Sequence, residues 1–240
     1  MTDTAAKKIQ LGIVLFPDNT IQDLIGPHQT FAFHGETHLI SNAVGPVRSD
    51  SGISLVSTRS YAQGLPEGGL DIVMVPGGQG TFAALQDQEL IAFLRTVGPQ
   101  VKYVTSVCTG SLILSAAGLL DGYKATTHWK YYDLLETLGA GKVECIRGQR
   151  VVMDRNRFSG GGVTAGIDLG LTMLAHIKGP EVAQTVQLLM EYDPKPPFGA
   201  GSPLSAPKDI VDKAVAATKD IMEQRMHTAR EIARRRFEKT

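Results

Sequence analysis

The sequence predicts an α/β fold in which a doubly wound, mostly parallel sheet carries helices on both faces. Apolar runs such as IQLGIVLF at residues 9–16 lack the polar alternation of a half-exposed strand and are typical of parallel strands buried on both sides. Segments with helical periodicity alternate with these runs, which is the pattern of repeated βα units. The 240 residues contain no internal repeat and are enough for one large domain or two small ones.

The first half of the chain contains most of the predicted strands. Apolar runs predict strands at residues 9–16, 37–44, 53–58, 70–75 and 102–107. The pair Gly26-Pro27 predicts a helix start, with Pro27 in the first turn, where a helix does not need the N–H that proline lacks. Helical periodicity predicts two further helices at residues 81–98 and 109–122, the second of which ends in glycines.

The second half is predicted to be mainly helical. Its predicted helices are residues 128–140, 163–179 and 180–192. Residues 142–145 are interpreted as a strand, and residues 150–161 as a hairpin with DRN at its turn. Residues 193–207 are rich in proline and glycine and are predicted to be a linker or extended arm. We therefore expect a domain at residues 1–194, followed at 195–240 by the linker and a charged C-terminal helix that packs on this domain or on a partner subunit.

The composition argues against several classes of partner. Lysine plus arginine and aspartate plus glutamate number 24 each, so no net charge would attract nucleic acid or an anionic membrane. The apolar runs are shorter than a bilayer span, and the N-terminal sequence lacks the pattern of a signal peptide, so we expect a cytoplasmic protein. The two cysteines form no metal-binding or disulfide pattern, and no metal is expected.

Cys108 has the setting that points most directly to chemistry. It follows an apolar strand and precedes a helix, which is the arrangement of a nucleophile elbow. We expect the helix start to lower the pKa of the thiol, and Gly110 to leave room for a close approach. The N–H groups of Thr109 and Gly78 are expected to form an anion hole. A buried, inert cysteine fits the same spacing, so the local pattern leaves both interpretations open, whereas Cys145 is interpreted as structural.

Two other segments are expected to border Cys108, because the carboxyl ends of parallel strands share one edge of the sheet. One is the PGGQG turn, with Gly77 lining the site, and the other is the QDLIGP segment that contains Asp23. Asp23 is either a helix cap, which the spacing alone favours, or a proton donor and acceptor that faces the thiol. Beside a thiolate and partly buried, its carboxyl would have a raised pKa.

The ATTHW and SGGGVTAG motifs supply the remaining candidates for the lining of the site. His128 lies 20 residues after Cys108, and an imidazole can activate a thiol. A histidine beside a tryptophan is more often a packed or capping residue, and the spacing favours that interpretation. Gly161 and Gly162 lack the order of a phosphate-binding glycine motif, so a tight turn that borders the site is expected.

Four motifs in a fixed order resemble a known family: DIVMVPGGQG, YVTSVCTGSLILSAAGLLDG, ATTHW and FSGGGVTAGIDLGL. Together they are similar to the PfpI-like branch of the class I glutamine amidotransferase-like superfamily, over residues 9–192. This resemblance implies a flavodoxin-like sandwich, a reactive cysteine at the elbow and usually a homodimer.

Within this superfamily, QDLIGP and CTG make the sequence most similar to the isonitrile hydratases, which add water to an isonitrile and release an N-substituted formamide. The resemblance implies that Cys108 is the nucleophile of a cysteine thioimidate, that Asp23 is the acid and base, and that Thr109 holds Asp23 or water through its hydroxyl. The partners are then an isonitrile and water, with no cofactor. A glyoxalase-type enzyme, a redox-stress thiol protein and a non-enzymatic ligand-binding protein share the fold and stay open as alternatives.

Overall fold

The computed structural model describes residues 7–237, in which helices and strands alternate along most of the chain. The strands are β1 (Ile9–Val14), β2 (Gly35–Ser41), β3 (Gly45–Arg48), β4 (Ser54–Ser57), β5 (Arg59–Ser60), β6 (Ile72–Val75), β7 (Tyr103–Val107), β8 (Tyr123–Ala125), β9 (Val143–Cys145), β10 (Val151–Asp154) and β11 (Arg157–Gly160). The helices are α1 (Ile21–Phe31), α2 (Thr81–Ala84), α3 (Gln88–Val97), α4 (Gly110–Ala116), α5 (Tyr132–Gly139), α6 (Ala165–Lys178), α7 (Pro180–Leu189), α8 (Lys208–Ala216) and α9 (Lys219–Phe237).

A seven-stranded sheet forms the centre of the described part of the chain, in the order β10-β11-β7-β6-β1-β2-β5. Its strands pair in parallel, apart from β10, which forms an antiparallel hairpin with β11. Strands β3 and β4, and strands β8 and β9, form two small additional sheets. The predicted mostly parallel sheet is therefore confirmed, and β7, β6 and β1 are neighbours within it.

The core consists of two hydrophobic clusters, one on each face of the sheet. Successive side chains of a strand point to opposite faces, and β1 shows the result: Val14 belongs to one cluster and Ile13 to the other. The first cluster includes residues of α3, α4 and α5, and the second includes residues of α1, α6 and α7. Helices therefore cover both faces, as the sequence predicts.

Helix α1 begins earlier than predicted, and this changes the interpretation of Pro27. The helix starts at Ile21, so Pro27 lies in its interior and not in its first turn. An interior proline removes one helical hydrogen bond, so packing has to stabilise the helix here. That packing is against α6, where a Cβ added to Gly166 would lie 2.8 Å from Pro27 Cδ.

The predicted helix at residues 81–98 consists of two helices, α2 and α3. The carboxylate of Asp87 accepts hydrogen bonds from the backbone N–H groups of Glu89 and Leu90, at 3.0 and 3.1 Å. Such a side chain is a strong N-cap, so the chain starts a new helix at this point instead of continuing the old one.

The C-terminal extension packs on the main domain of the same chain. Residues 193–207 contain neither helix nor strand, as expected for a linker, and two helices follow them where a single one was predicted. Helix α9 lies against α4 and α5 and buries Ala229 and Ala233. The domain division at 194/195 stays a prediction, and the ends of the two predicted units, residues 1–6 and 238–240, lie outside the described residues.

Candidate active site

Cys108 lies at a sharp turn between β7 and α4. Its φ of 55° is in the left-handed region, which costs a non-glycine residue about 1–2 kcal/mol. Hydrogen bonds on both sides of the residue stabilise the turn: the Cys108 N–H donates to the carbonyls of Gly160 and Gly161, at 3.1 and 2.8 Å. The Cys108 carbonyl accepts from the hydroxyls of Thr127 and Ser111, at 2.9 and 3.2 Å. Strand, cysteine and helix therefore form the elbow that the sequence predicts.

The glycines beside the elbow allow close packing. A Cβ on Gly110 would lie 2.0 Å from the carbonyl oxygen of Val75, so glycine lets α4 begin against the end of β6. This corrects the expectation that Gly110 leaves room for a reactant. A Cβ on Gly77 would lie 2.5 Å from Thr109 Oγ1 and 3.0 Å from Cys108 Cβ, so Gly77 lies directly against the elbow.

Asp23 faces the thiol, and the helix-cap interpretation that its spacing favours is wrong. Its side chain is fully buried, and Oδ2 accepts a hydrogen bond of 2.8 Å from the N–H of Gly77. Within residues 7–237, Oδ1 has no hydrogen-bond partner. Burial raises the pKa of the carboxyl to about 7, against the opposing effects of the Gly77 N–H and the neighbouring Cys108 thiol. Asp23 can therefore gain or lose a proton near neutral pH.

The pKa of the Cys108 thiol moves in the direction opposite to the one expected from the helix start. Burial, followed by the charge of Asp23, raises this pKa to about 12. The N–H groups of Thr109 and Val163 point at the sulfur and lower the pKa, but they offset only part of the burial. The thiol therefore keeps its proton at neutral pH, and the Asp23–Cys108 pair holds one proton when the carboxyl is ionised.

The hydrogen bonds around Thr109 differ from the predicted anion hole. The Gly78 N–H donates to Thr109 Oγ1 at 3.1 Å, so it is engaged and does not point at the reacting centre. The same hydroxyl is 2.7 Å from Thr81 Oγ1 and also hydrogen-bonds the Cys108 sulfur. It therefore holds the glycine loop (residues 77–79), α2 and the thiol, and within residues 7–237 no hydrogen bond joins it to Asp23. Val163 provides the second N–H beside the sulfur, and no sequence signal singled out this residue.

His128 borders the site in a capping role. Its Nδ1 accepts a hydrogen bond of 3.3 Å from the N–H of Lys130, and burial lowers the pKa of the imidazole to about 4, so the ring is neutral. A Cβ on Gly162 would lie 2.6 Å from His128 Cδ2, so this ring covers Gly162. Among the described residues, no hydrogen bond joins His128 to Cys108. The ordinary interpretation of His128 therefore fits the structure better than thiol activation.

A cavity of about 490 Å³ opens beside the elbow. Its walls include Thr127 and Gly161, two of the four residues that hydrogen-bond to the backbone of Cys108, but not Cys108 itself. Trp129, Tyr132 and Leu204 of the linker add apolar surface. Its two arginines pair with carboxylates, Arg147 with Asp133 and Glu136, and Arg150 with Asp168. The cavity is therefore suited to a small, mainly apolar group.

Within residues 7–237, no cluster of three or more histidine, cysteine, aspartate or glutamate side chains has the geometry of a metal site. In the same part of the chain, no helix has both the length and the apolar character needed to cross a membrane.

Cys145 lies apart from Cys108, packed half-buried against the hydrophobic cluster of α3, α4 and α5, in keeping with a structural role.

Comparison with known proteins gives relatives that match most of the chain. The chain is 47% identical to isonitrile hydratase from Pseudomonas putida over 208 residues, which are 86% of this chain and 88% of that enzyme. The crystal structure of a THiJ/PfpI family protein from Pseudomonas syringae superposes with a TM-score of 0.85 at 40% identity, covering 95% of this chain and 91% of that one. The HTH-type transcriptional regulator GbdR from Pseudomonas aeruginosa is 32% identical over 52% of this chain, which is 33% of the regulator.

A match to the DJ-1/PfpI family extends over residues 12–176. This range contains the central strands β6, β7 and β11, and with them Asp23, the glycine loop and the Cys108 elbow. The match agrees with the likeness to the THiJ/PfpI structure and with the resemblance that the four motifs carry. The chain belongs to the DJ-1/PfpI family.

Proposed function

We propose that the protein is an isonitrile hydratase, a lyase that adds water to an isonitrile and releases an N-substituted formamide. The observation that carries this proposal is the buried Asp23 carboxyl beside the Cys108 thiol at the elbow. It is supported by 47% identity to the Pseudomonas putida isonitrile hydratase over 86% of the chain. The substrates are then a small isonitrile and water.

In the first step, the thiol adds to the terminal carbon of the isonitrile. That carbon is both nucleophilic and electrophilic, so it needs a proton and a nucleophile together. Ionised Asp23 takes the proton of Cys108 and delivers it to the carbon, while the sulfur forms the new C–S bond. The product is a thioimidate, R–N=CH–S–Cys108, and Asp23 is again a carboxylate.

In the second step, water hydrolyses the thioimidate. Asp23 accepts a proton from water as the oxygen attacks the carbon, and it passes this proton to the nitrogen, which becomes R–NH. The C–S bond then breaks as the carbonyl forms, and the second proton of the water returns to the sulfur. The formamide leaves with the former thiol proton on its carbon, and the pair regains its starting state.

The cavity beside the elbow gives this substrate a place for its R group. We propose that the R group of an isonitrile bound at the sulfur extends into this cavity, because Thr127 and Gly161 line it and also bond to the backbone of Cys108. We propose that this group is neutral and mainly apolar, because the arginines of the cavity are paired with carboxylates. The homodimer and the cytoplasmic location expected from the sequence stay predictions.

The test is formamide production from cyclohexyl isonitrile. We expect the wild-type protein and Cys145→Ser, the matched control for the loss of a thiol, to release N-cyclohexylformamide. Cys108→Ser should lower kcat by about a thousandfold or more, as loss of a nucleophile does. No product from the folded wild-type protein would reject the proposed function, and full activity of Cys108→Ser would reject the mechanism. Activity on a dicarbonyl instead would favour the glyoxalase-type alternative.

A further inference from the structure

Arg225 on α9 connects the C-terminal extension to the residues around the active site. Its Nη1 donates a hydrogen bond to the Tyr131 hydroxyl, and its Nη2 donates to Gln79 Oε1 at 2.9 Å. The guanidinium also lies over the rings of Phe82 and Tyr131, 4.9 and 5.5 Å from their centroids. Arg225 therefore holds residues from two separate segments of the main domain in one arrangement.

The first of these segments is the glycine loop that positions the reacting groups. Gln79 directly follows Gly77 and Gly78 in the chain. The Gly77 N–H holds Asp23 Oδ2, and the Gly78 N–H holds Thr109 Oγ1. A shift of this loop would therefore move the bonds that orient both Asp23 and the elbow.

The second segment contains His128 and Tyr131. The ring of Tyr131 packs edge-on against His128, with centroids 5.7 Å apart, and His128 covers Gly162. Burial raises the pKa of the Tyr131 hydroxyl, and the charge of Arg225 opposes this effect. Because a guanidinium only donates hydrogen bonds, the Tyr131 oxygen accepts from Arg225 and its own proton points elsewhere.

We infer that Arg225 is a positioning residue of the active site, which ties the Gly77-Gly78-Gln79 loop to Tyr131. This inference rests on the proposed isonitrile hydration. If Arg225 has this role, α9 contributes to the geometry of the active site. The packing of α9 on α4 and α5 alone would indicate only a contribution to stability. Because Arg225 touches the loop and not the reacting atoms, its loss should slow the reaction without abolishing it.

Arg236 offers a matched control on the same helix. Its Nη2 pairs with Asp121 at 2.5 Å, and its Nη1 donates to the carbonyl of Ser115 at 2.6 Å. These contacts anchor α9 at its far end, on residues outside the elbow and the glycine loop. A substitution of Arg236 therefore tests the anchoring of α9 without touching the contacts that connect Arg225 to the site.

The experiment compares Arg225→Gln, Arg236→Gln and Tyr131→Phe in formamide production and thermal unfolding. We expect Arg225→Gln to lower kcat by about tenfold, as misplacement of supporting groups does, and Arg236→Gln to keep the wild-type kcat. Both arginine variants should lower the Tm to a similar extent. We expect the double variant Tyr131→Phe/Arg225→Gln to have a lower kcat than either single variant. Its loss relative to the wild type should be smaller than the product of the two single losses, because the two residues share one contact.

Equal losses of kcat in the two arginine variants, or a wild-type kcat in Arg225→Gln, would overturn the inference. A second readout does not need turnover: the rate at which iodoacetamide alkylates Cys108 in a Cys145→Ser background. We expect this rate to rise in Arg225→Gln and Tyr131→Phe as the loop loosens, but not in Arg236→Gln. If the wild-type protein made no formamide, the proposed hydration would fail, and the alkylation rates would still decide the role of Arg225.

Discussion

At the scale of single residues, the proposed chemistry depends on one buried pair of titratable groups. Burial raises the pKa of Asp23 to about 7 and that of Cys108 to about 12, and the charge of Asp23 adds to the second effect. Near neutral pH the pair therefore carries one proton on the sulfur, with a carboxylate beside it able to accept that proton. This state suits an isonitrile, whose terminal carbon takes up both a proton and a nucleophile.

The buried charge of Asp23 has a consequence for stability. The pKa of Asp23 in the folded protein, about 7, lies above its ordinary value of 3.8. The fold therefore loses stability as the pH rises between these two values, because the folded state holds a proton that the unfolded chain has released. Asp23→Asn removes this charge and keeps an oxygen that can accept from the Gly77 N–H.

We expect Asp23→Asn to raise the free energy of unfolding at about pH 8 by up to about 4 kcal/mol, the free-energy equivalent of this difference in pKa. At about pH 4 the two proteins should differ little, because Asp23 is then largely protonated in the folded state. Urea titrations at both pH values measure the difference. A wild-type protein more stable than the variant at pH 8 would contradict the buried-charge account.

The sequence points to the residues proposed to react, but it does not predict their protonation. Cys108 is recognisable because an apolar strand precedes it and a helix follows it. The direction of its pKa shift cannot be predicted from the sequence, because the local pattern shows the helix start but not how deeply the thiol is buried. Asp23 is ambiguous for a related reason: the same spacing near a helix start serves a cap and an inward-facing acid.

At the scale of secondary-structure elements, the site depends on close contacts that glycine permits. Helix α1 carries Asp23 and crosses α6 closely, where a Cβ on Gly170 would lie 2.1 Å from Thr30 Oγ1. Helix α4 begins against the end of β6, where Gly110 meets the carbonyl of Val75. These contacts set how near the Asp23 carboxyl and the Cys108 thiol lie to each other.

Gly110→Ala should disrupt the elbow. The added Cβ would lie 2.0 Å from the backbone oxygen of Val75, and backbone cannot rotate away as a side chain can. Helix α4 must then shift, and we expect a loss of stability of about 1–3 kcal/mol together with a fall in kcat. Thermal unfolding and formamide production measure both effects.

Gly199→Ala in the linker is the matched control, since a Cβ there meets nothing within 4 Å. It should leave both stability and kcat close to the wild-type values. A Gly110→Ala protein as stable and as active as this control would show that the contact with β6 is not needed.

Helix boundaries are the part of the elements that the sequence predicts least well. The Gly26-Pro27 pair has the composition of a helix start, yet the packing of Pro27 against Gly166 stabilises it inside α1. This contact joins residues distant in sequence, so no local pattern contains it. The division between α2 and α3 is different, because Asp87 is a recognisable N-cap signal within the predicted helix.

At the scale of the whole molecule, the sheet order explains why the site lies where it does. Strands β7, β6 and β1 are neighbours, so the segments that follow them meet at one edge of the sheet. Strand hydrophobicity and the alternation of strands with helices are enough to predict this convergence. The packing position of the C-terminal extension is not predictable in this way, because a charged helix such as α9 contains no signal for its packing partner. The contacts of Arg225 with Tyr131 and Gln79 are therefore seen only in the structure.

The dependence of kcat/KM on pH tests the central claim most directly, namely that Asp23 and Cys108 share one proton in the active state. The measurement is the hydration of cyclohexyl isonitrile between about pH 5 and about pH 9. We predict that kcat/KM rises with pH through about 7, because Asp23 ionises there and the pair goes from two protons to one. Above that pH kcat/KM should stay level, because the thiol pKa of about 12 lies beyond the measured range. A rate that stays constant across pH 7, or falls through it, would contradict the account.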